Sequence, residues 1–480
     1  MSDSGSSAVL FCEPDPVLTA RPSLRKYLRY LLFFGPGAVL ASMTIGQGQL
    51  ILGPQIGAWA GYALLWLITL NIGSYLICYV GTRFTMLSGI SVMDVFALKT
   101  RRGWINWLLI GIMAIFVPTF AATIITTLGK SLEWIFGGGH YLFWGISFSV
   151  LAALLALLGR YKLLEVSQAF FVAVLGVGAI ASVALLRPDL LDLLPNFFRI
   201  GNVPSYPGWV DTVPDFTKTP IPLSMMGYLG TLTISIVPLV GYLGWVKVKK
   251  WGIFRGSEDS AALSQRLFSR YKEKGAIDYL PEDRQQLRMS RLHLRPLMVD
   301  LAIAFLIVSL VSAAYMIAGA DRLGRDIPTD VELIKRQAVI FSDMASWLKP
   351  LYQVSVAFAL FGTVYSAFEA ATRMLYETTR TIRPTAGRLS YKRFMLYFLV
   401  YVLSLGIPLA LLMASGLSVL LVLSITLLFI GVIGVIIYGV GAVYITQRVL
   451  PAAYRLHPLS LAAAVVGVLL LCIPLLYLFL

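Results

Sequence analysis

Apolar runs of about 20 residues recur along the whole chain, separated by short polar segments. Read as helices, they predict spans at 30–59, 62–86, 104–128, 141–159, 163–186, 222–246, 297–319, 350–376, 394–414, 417–446 and 459–479. Each is long enough to cross hydrocarbon at 1.5 Å per residue. The ten-residue alternation that marks an outer-membrane barrel is absent from the sequence. The pattern therefore predicts an all-α membrane protein of about eleven transmembrane helices.

Composition agrees with this reading. Hydrophobic residues make up 58% of the 480 and charged ones only 13%, about half the charge of a water-soluble chain. The formal net charge of +15 invites a nucleic-acid reading, but the cations sit in the short segments between apolar runs. The basic segments follow the second, fourth, sixth, eighth and tenth spans, whereas 187–221 and 320–349 mix both signs. By the positive-inside rule this alternation predicts a cytoplasmic N-terminus and an outside C-terminus in a cell (inner or plasma) membrane. No cleavable signal peptide is read in the polar first thirty residues. Cys12, Cys78 and Cys472 are widely spaced and read as free thiols, with no metal or disulfide pattern. Two segments outside the spans are predicted to fold: 257–292 as an amphipathic helix on anionic lipid, and 329–347 as a helix capping the outer face.

Two spans are interrupted. The first contains Gly46-Gln47-Gly48-Gln49 at its middle, poor helix and good unwound backbone. The sixth contains Pro238, which removes a backbone donor, between Gly230 and Gly241. Breaks in the first and sixth spans fall at corresponding places of two five-helix halves related by inverted symmetry, and paired breaks point to a substrate site near the bilayer midplane. The expected substrate-binding residues are Thr44, Gly46, Gln47, Gly48 and Gln49 from the first span. Thr231, Thr233, Ser235, Val237, Pro238 and Leu239 come from the sixth. Together they predict a polar cavity. Gly431, Gly434, Gly439 and Gly441 in the tenth span read as close helix packing. Charges within spans carry function by default. Asp300, Glu369 and Arg373 are accordingly candidate coupling or structural charges, the last two at ion-pairing i,i+4 spacing. Glu165 falls at an interface.

The segment from Gly35-Pro36-Gly37 to Gly61-Tyr62-Ala63-Leu64-Leu65-Trp66 resembles the opening of the natural resistance-associated macrophage protein (NRAMP) family of divalent-metal transporters. So do Tyr161-Lys162-Leu163-Leu164-Glu165 and the eighth-span run from Leu360 to Glu369. The resemblance implies a LeuT-type 5+5 inverted repeat and secondary active transport. It also implies a metal site, with an Asp-Pro-Gly-Asn motif in the first span and Met-Pro-His in the sixth. Here Gly46-Gln47-Gly48-Gln49 and Val237-Pro238-Leu239 stand at those places, so the acid, thioether and imidazole are replaced. What remains is amide, hydroxyl and carbonyl oxygen, a set that suits hard cations better than transition metals.

The implied organisation is a cytoplasmic tail 1–29, a first repeat 30–186, an outer loop 187–221, a second repeat 222–446 containing the basic loop 247–296, and an additional eleventh helix in 447–480. The resemblance favours a metal-ion carrier. The unwound Gly-x-Gly, with backbone N–H groups at a half-helix N-terminus, favours a same-fold carrier of a small polar or anionic organic solute. A membrane-embedded enzyme would need paired carboxylates, a metal cluster or a nucleophile with its base inside the bundle. None is read, so no enzymatic activity and no cofactor are expected. The expected partners are the lipid bilayer and a small-molecule or ion substrate, with no nucleic acid.

Overall fold

In the computed structural model, described at residues 9–159, 161–212, 219–323, 335, 346–382 and 389–479, the apolar runs form helices. Among the described residues, eight helices are each long and apolar enough to cross a membrane. A bent pair, Trp66–Ser88 with Val92–Lys99, turns through 85°. The turn is fixed by a capping box in which Ser91 and Asp94 satisfy each other's backbone N–H. The fifth predicted span is the helix Tyr161–Leu186, with the Glu165 side chain outside the described residues. Most of the predicted outer helix 329–347 also lies outside them.

The first span is shorter and more broken than its apolar run. Residues 30–35 do not join it: the helix Leu24–Tyr30 ends in a 3-10 turn, and Gly35 is non-helical at φ −153° and ψ −77°. The span begins at Pro36, suited to a first helical position by its fixed φ and missing N–H. Helix runs over Pro36–Thr44 and stops at Ile45. It resumes as a wide π turn over Gly48–Leu52 and continues as Gly53–Ala60. The π turn has a local cause. Pro54 offers no N–H to the Leu50 carbonyl and its ring crowds that carbonyl, so the turn before it opens.

The sixth span breaks upstream of where Pro238 by itself suggests. Helix Ile221–Leu232 stops at Thr233, which is extended at ψ 151°, and Ile236–Val248 restarts after Ser235. Proline forbids helix at the carbonyl four residues before it, here that of Ile234. Pro238 therefore sits in the first turn of the resumed helix, where a missing N–H costs little.

The remaining spans are Trp104–Phe136, Tyr141–Leu158, Arg295–Arg322, Leu348–Ile382, Tyr391–Ala414, Val419–Val449 with a π turn at Leu428–Ile433, and Pro458–Leu476. Small residues let their backbones meet. A Cβ on Gly57 would stand 2.0 Å from the Met316 carbonyl, and one on Gly431 would stand 2.4 Å from that of Gly230. The glycines of the tenth span thus pack closely, as expected. The basic segment 257–292 folds as two helices, Ser260–Lys274 and Arg284–His293, rather than one. Asp259 and Asp283 cap them, and Gly275 ends the first at φ +70°.

Candidate functional site

The two breaks face each other across one cavity of about 60 Å³, space for a few waters or a small ion with part of its hydration shell. Thr44, Gly46, Gln47, Gly48, Thr231, Thr233, Ser235, Val237 and Pro238 line it. Gln49 and Leu239 do not; both are buried beside it. The breaks interlock, since a Cβ on Gly48 would fall 1.9 Å from Thr231 Cγ2.

Gln49 is a staple rather than a ligand. Its Oε1 accepts from the Gly46 N–H at 3.2 Å, and its Nε2 donates to the Thr231 carbonyl at 3.2 Å. One side chain thereby satisfies backbone groups that unwinding exposes in both broken spans. The Gly46 N–H, expected to be open to an anion, is taken.

Gln47 differs. Its Nε2 donates to Thr127 Oγ1 of the third span at 2.9 Å. The Thr127 hydroxyl gives its own proton to the Thr123 carbonyl at 2.9 Å, so toward Gln47 it accepts, and this fixes which amide atom is which. Gln47 Oε1 is left buried with no partner in a residue that is 2% exposed. Leaving a buried acceptor unmade costs about 1–3 kcal/mol.

Four hydroxyls of the lining repeat this polarity. The hydroxyls of Thr44, Thr231, Thr233 and Thr363 donate to the carbonyls of Leu40, Tyr228, Gly431 and Ala359 at 2.8, 2.7, 2.6 and 2.9 Å. Each proton is spent on backbone, leaving oxygen lone pairs. These lone pairs favour a cation or a hydrogen-bond donor. Among the described residues no group of three or more His, Cys, Asp or Glu is arranged to hold a metal ion.

The lining is polar mainly on the broken spans, with Thr363 the polar residue of the eighth, whereas a polar cavity was predicted. Met43 of the first span, Gly230 of the sixth, Val117 and Phe120 of the third, Thr363, Ala367 and Ala371 of the eighth, and Leu423, Leu427 and Ile430 of the tenth complete it. Apart from Thr363, no chemical signal in the sequence separates these from ordinary bundle residues.

The three candidate charges lie elsewhere. Asp300 is fully buried, accepting from the Gly35 N–H at 2.8 Å and from the Tyr242 hydroxyl at 2.5 Å. It caps the positive end of the half-helix Pro36–Thr44 and ties it to the sixth span. Glu369 and Arg373 form the predicted pair at 2.5 Å. The pair is not a loose surface bridge: Trp245 Nε1–H also donates to Glu369 Oε2 at 3.1 Å. Arg373 packs over the Tyr391 ring at 5.7 Å and against Gly244. This latch stands between the central cavity, which Ala367 and Ala371 line, and a larger cavity of about 680 Å³ on the basic face, lined by Gly244, Arg373 and Glu377.

The model of the natural resistance-associated macrophage protein-like family matches residues 37–480. Among solved structures, a mutant of the Eremococcus coleocola manganese transporter superposes with a TM-score of 0.67 at 16% identity, covering 95% of this chain and 88% of that one. The same transporter in complex with an aromatic bis-isothiourea substituted compound gives 0.62 at 16%, with the same coverage. MhsT in complex with L-phenylalanine gives 0.52 at 16%, covering 92% and 97%. At such identities the likeness is one of fold. No curated protein matches the chain in sequence. Matched from the opening of its first span to its end, the chain belongs to the natural resistance-associated macrophage protein-like family and has the LeuT-type inverted-repeat fold of a multi-pass secondary transporter.

Proposed function

We propose that this transporter carries a small cation with part of its hydration shell, held by neutral oxygens between the broken first and sixth spans, and that its site does not select transition metals. The single observation behind this reading is Gln47 Oε1, an unpartnered buried acceptor beside hydroxyls that have given away their protons. The named cargo of the Eremococcus coleocola transporter, manganese, suggests the class of substrate. The chemistry of Gly46, Val237 and Leu239 argues against the same preference, because transition metals favour imidazole, thioether or carboxylate ligands. Oxygen-only sites suit hard ions such as Mg²⁺, which keep several waters. The anionic-solute alternative loses support from a lining of acceptors.

We further assign the two five-helix repeats to 30–186 and 222–446, with the basic face and the N-terminus in the cytoplasm. The loop charges support this orientation. The test is uptake into proteoliposomes. Mg²⁺ uptake should exceed that of control vesicles, be only partly inhibited by Mn²⁺ at equal concentration, and fall by about tenfold in Gln47→Leu, which removes one charge–dipole contact. Mn²⁺ uptake outpacing Mg²⁺ and untouched by Gln47→Leu would overturn the reading.

A further inference from the structure

A third cavity, of about 480 Å³, lies on the basic face and shares no lining residue with the two already described. Its walls are the helix Arg284–His293, the start of the seventh span at Arg295, and the turn around Leu18 and Ala20 before the helix Leu24–Tyr30. Five cations line it: Lys26, Arg284, Arg288, Arg291 and Arg295. We propose that this cup binds the head group of an anionic phospholipid of the leaflet on the basic face.

The four arginines recur at intervals of 4, 3 and 4 residues, which places them on one helical face. All four are exposed, and among the described residues none is within ion-pair distance of a carboxylate. The nearby acids are otherwise engaged or turned to the helix end. Asp15 pairs with Arg255 at 4.0 Å, and Asp283 accepts from the Gln286 N–H as the cap. Glu282 is exposed just before that cap. Four like charges within three turns repel one another, so this face is stabilised by a bound anion. Lys26 builds the opposite wall. It is 8% exposed, and its Nζ donates to the carbonyls of Leu18 at 3.2 Å and Ala20 at 2.5 Å. Its charge is held in place by carbonyls and, among the described residues, has no carboxylate partner.

What makes the ligand a lipid is the apolar surface beside the cup. Leu24, Leu28, Leu31 and Leu32 are 78, 58, 57 and 80% exposed on the short helix and turn that lead into the first span. Leu24, Leu28 and Leu31 share one face of it. Arg295 begins the seventh span. The cup therefore opens where two spans enter the bilayer, at head-group depth. Acyl chains would lie along the leucines while the phosphate meets the arginines, a recognition mode of juxtamembrane basic clusters. The inference does not depend on what the central cavity carries.

The test uses the full-length protein in detergent, with retained lipid read by native mass spectrometry and stability by thermal unfolding. Phosphatidylglycerol should be retained at least about fivefold more strongly than phosphatidylcholine and should raise the melting midpoint, and Arg288→Gln with Arg291→Gln should abolish both effects. Arg288→Lys with Arg291→Lys should keep most of the preference. Leu24→Ser with Leu28→Ser should weaken retention while the basic face stays intact. Inorganic phosphate that stabilises as well as phosphatidylglycerol at equal concentration would show a free-anion site and overturn the lipid assignment. A preference for phosphatidylglycerol that survives the double Gln substitution would overturn the site itself.

Discussion

The interlock of the two breaks gives the sharpest quantitative expectation. Gly48→Ala places a Cβ 1.9 Å from Thr231 Cγ2, 2.1 Å from its Cβ and 2.3 Å from its Oγ1. No rotamer of Thr231 clears its own Cβ, so the backbones must part by roughly 1.5 Å to reach ordinary contact. Overpacking of this kind costs about 1–3 kcal/mol. Parting the breaks also stretches the bond from Gln49 Nε2 to the Thr231 carbonyl, now 3.2 Å, adding on the order of 1 kcal/mol. The expected loss is therefore about 2–4 kcal/mol in unfolding free energy, with uptake reduced in parallel. Thr231→Gly removes all three clashing atoms. The double substitution should recover stability beyond additivity, with a coupling of about 1–3 kcal/mol. Denaturant unfolding of the purified protein in detergent supplies the cycle, and proteoliposome uptake the functional readout. A Gly48→Ala protein as stable and active as the parent, or zero coupling with Thr231→Gly, would refute the claim that these two residues hold the breaks together.

Asp300→Leu should remove the acceptor of both the Gly35 N–H and the Tyr242 hydroxyl and cost about 3 kcal/mol in the same unfolding assay, with Asp300→Asn costing less because one acceptor oxygen survives. His293, outside the spans, donates from Nε2 to the Cys12 carbonyl at 2.8 Å, and burial above all lowers its pKa from the usual 6.5. The neutral form is thus favoured in the fold, so its contribution is full above pH 6.5 and lost as pH falls from there through the lower folded value. Hydrogen exchange at Val9 and Phe11, whose N–H groups bond Tyr279 and Gln286, should quicken at acid pH beyond the intrinsic trend, and His293→Gln should remove that excess. Cys12 is exposed and Cys78 buried. With the N-terminus inside, an impermeant maleimide should label Cys12 in permeabilised cells and not in intact ones, and labelling of intact cells would reverse the orientation.

Much of this architecture is written in local backbone chemistry. Two glycines and two amides in a row at mid-span weaken helix, so the first break was visible. Pro238 announced the second break but not its place, because a proline acts on the carbonyl of Ile234 four residues back. The loop cations marked one face through their spacing alone. Other features depend on meetings across the chain. Phe120, Leu423 and Ile430 look like lipid-facing residues until the bundle turns them onto the cavity. Gln47 and Gln49 are alike in sequence, yet Gln49 is consumed by the Gly46 and Thr231 backbones while Gln47 keeps an open oxygen. Asp300 reads as a coupling charge until its partners Gly35 and Tyr242, far away in sequence, show it capping a half-helix. The Trp245 contact that turns the Glu369–Arg373 pair into a buried latch likewise has no local signature.

The central claim is that neutral oxygens beside the Met43 thioether take the place of a transition-metal site, and metal titration tests it most directly. Purified protein titrated calorimetrically with Mn²⁺ and Mg²⁺ should bind both weakly, within about tenfold of each other, because no carboxylate or imidazole among the described lining residues distinguishes them and the Met43 thioether suits softer metals than either. Gly46→Asp with Thr363→Ala should then favour Mn²⁺ by at least about tenfold, since it adds an anionic ligand. The second change is needed because a Cβ on Gly46 would stand 2.9 Å from Thr363 Oγ1. Micromolar Mn²⁺ binding to the unaltered protein, or no gain from the added carboxylate, would contradict the account.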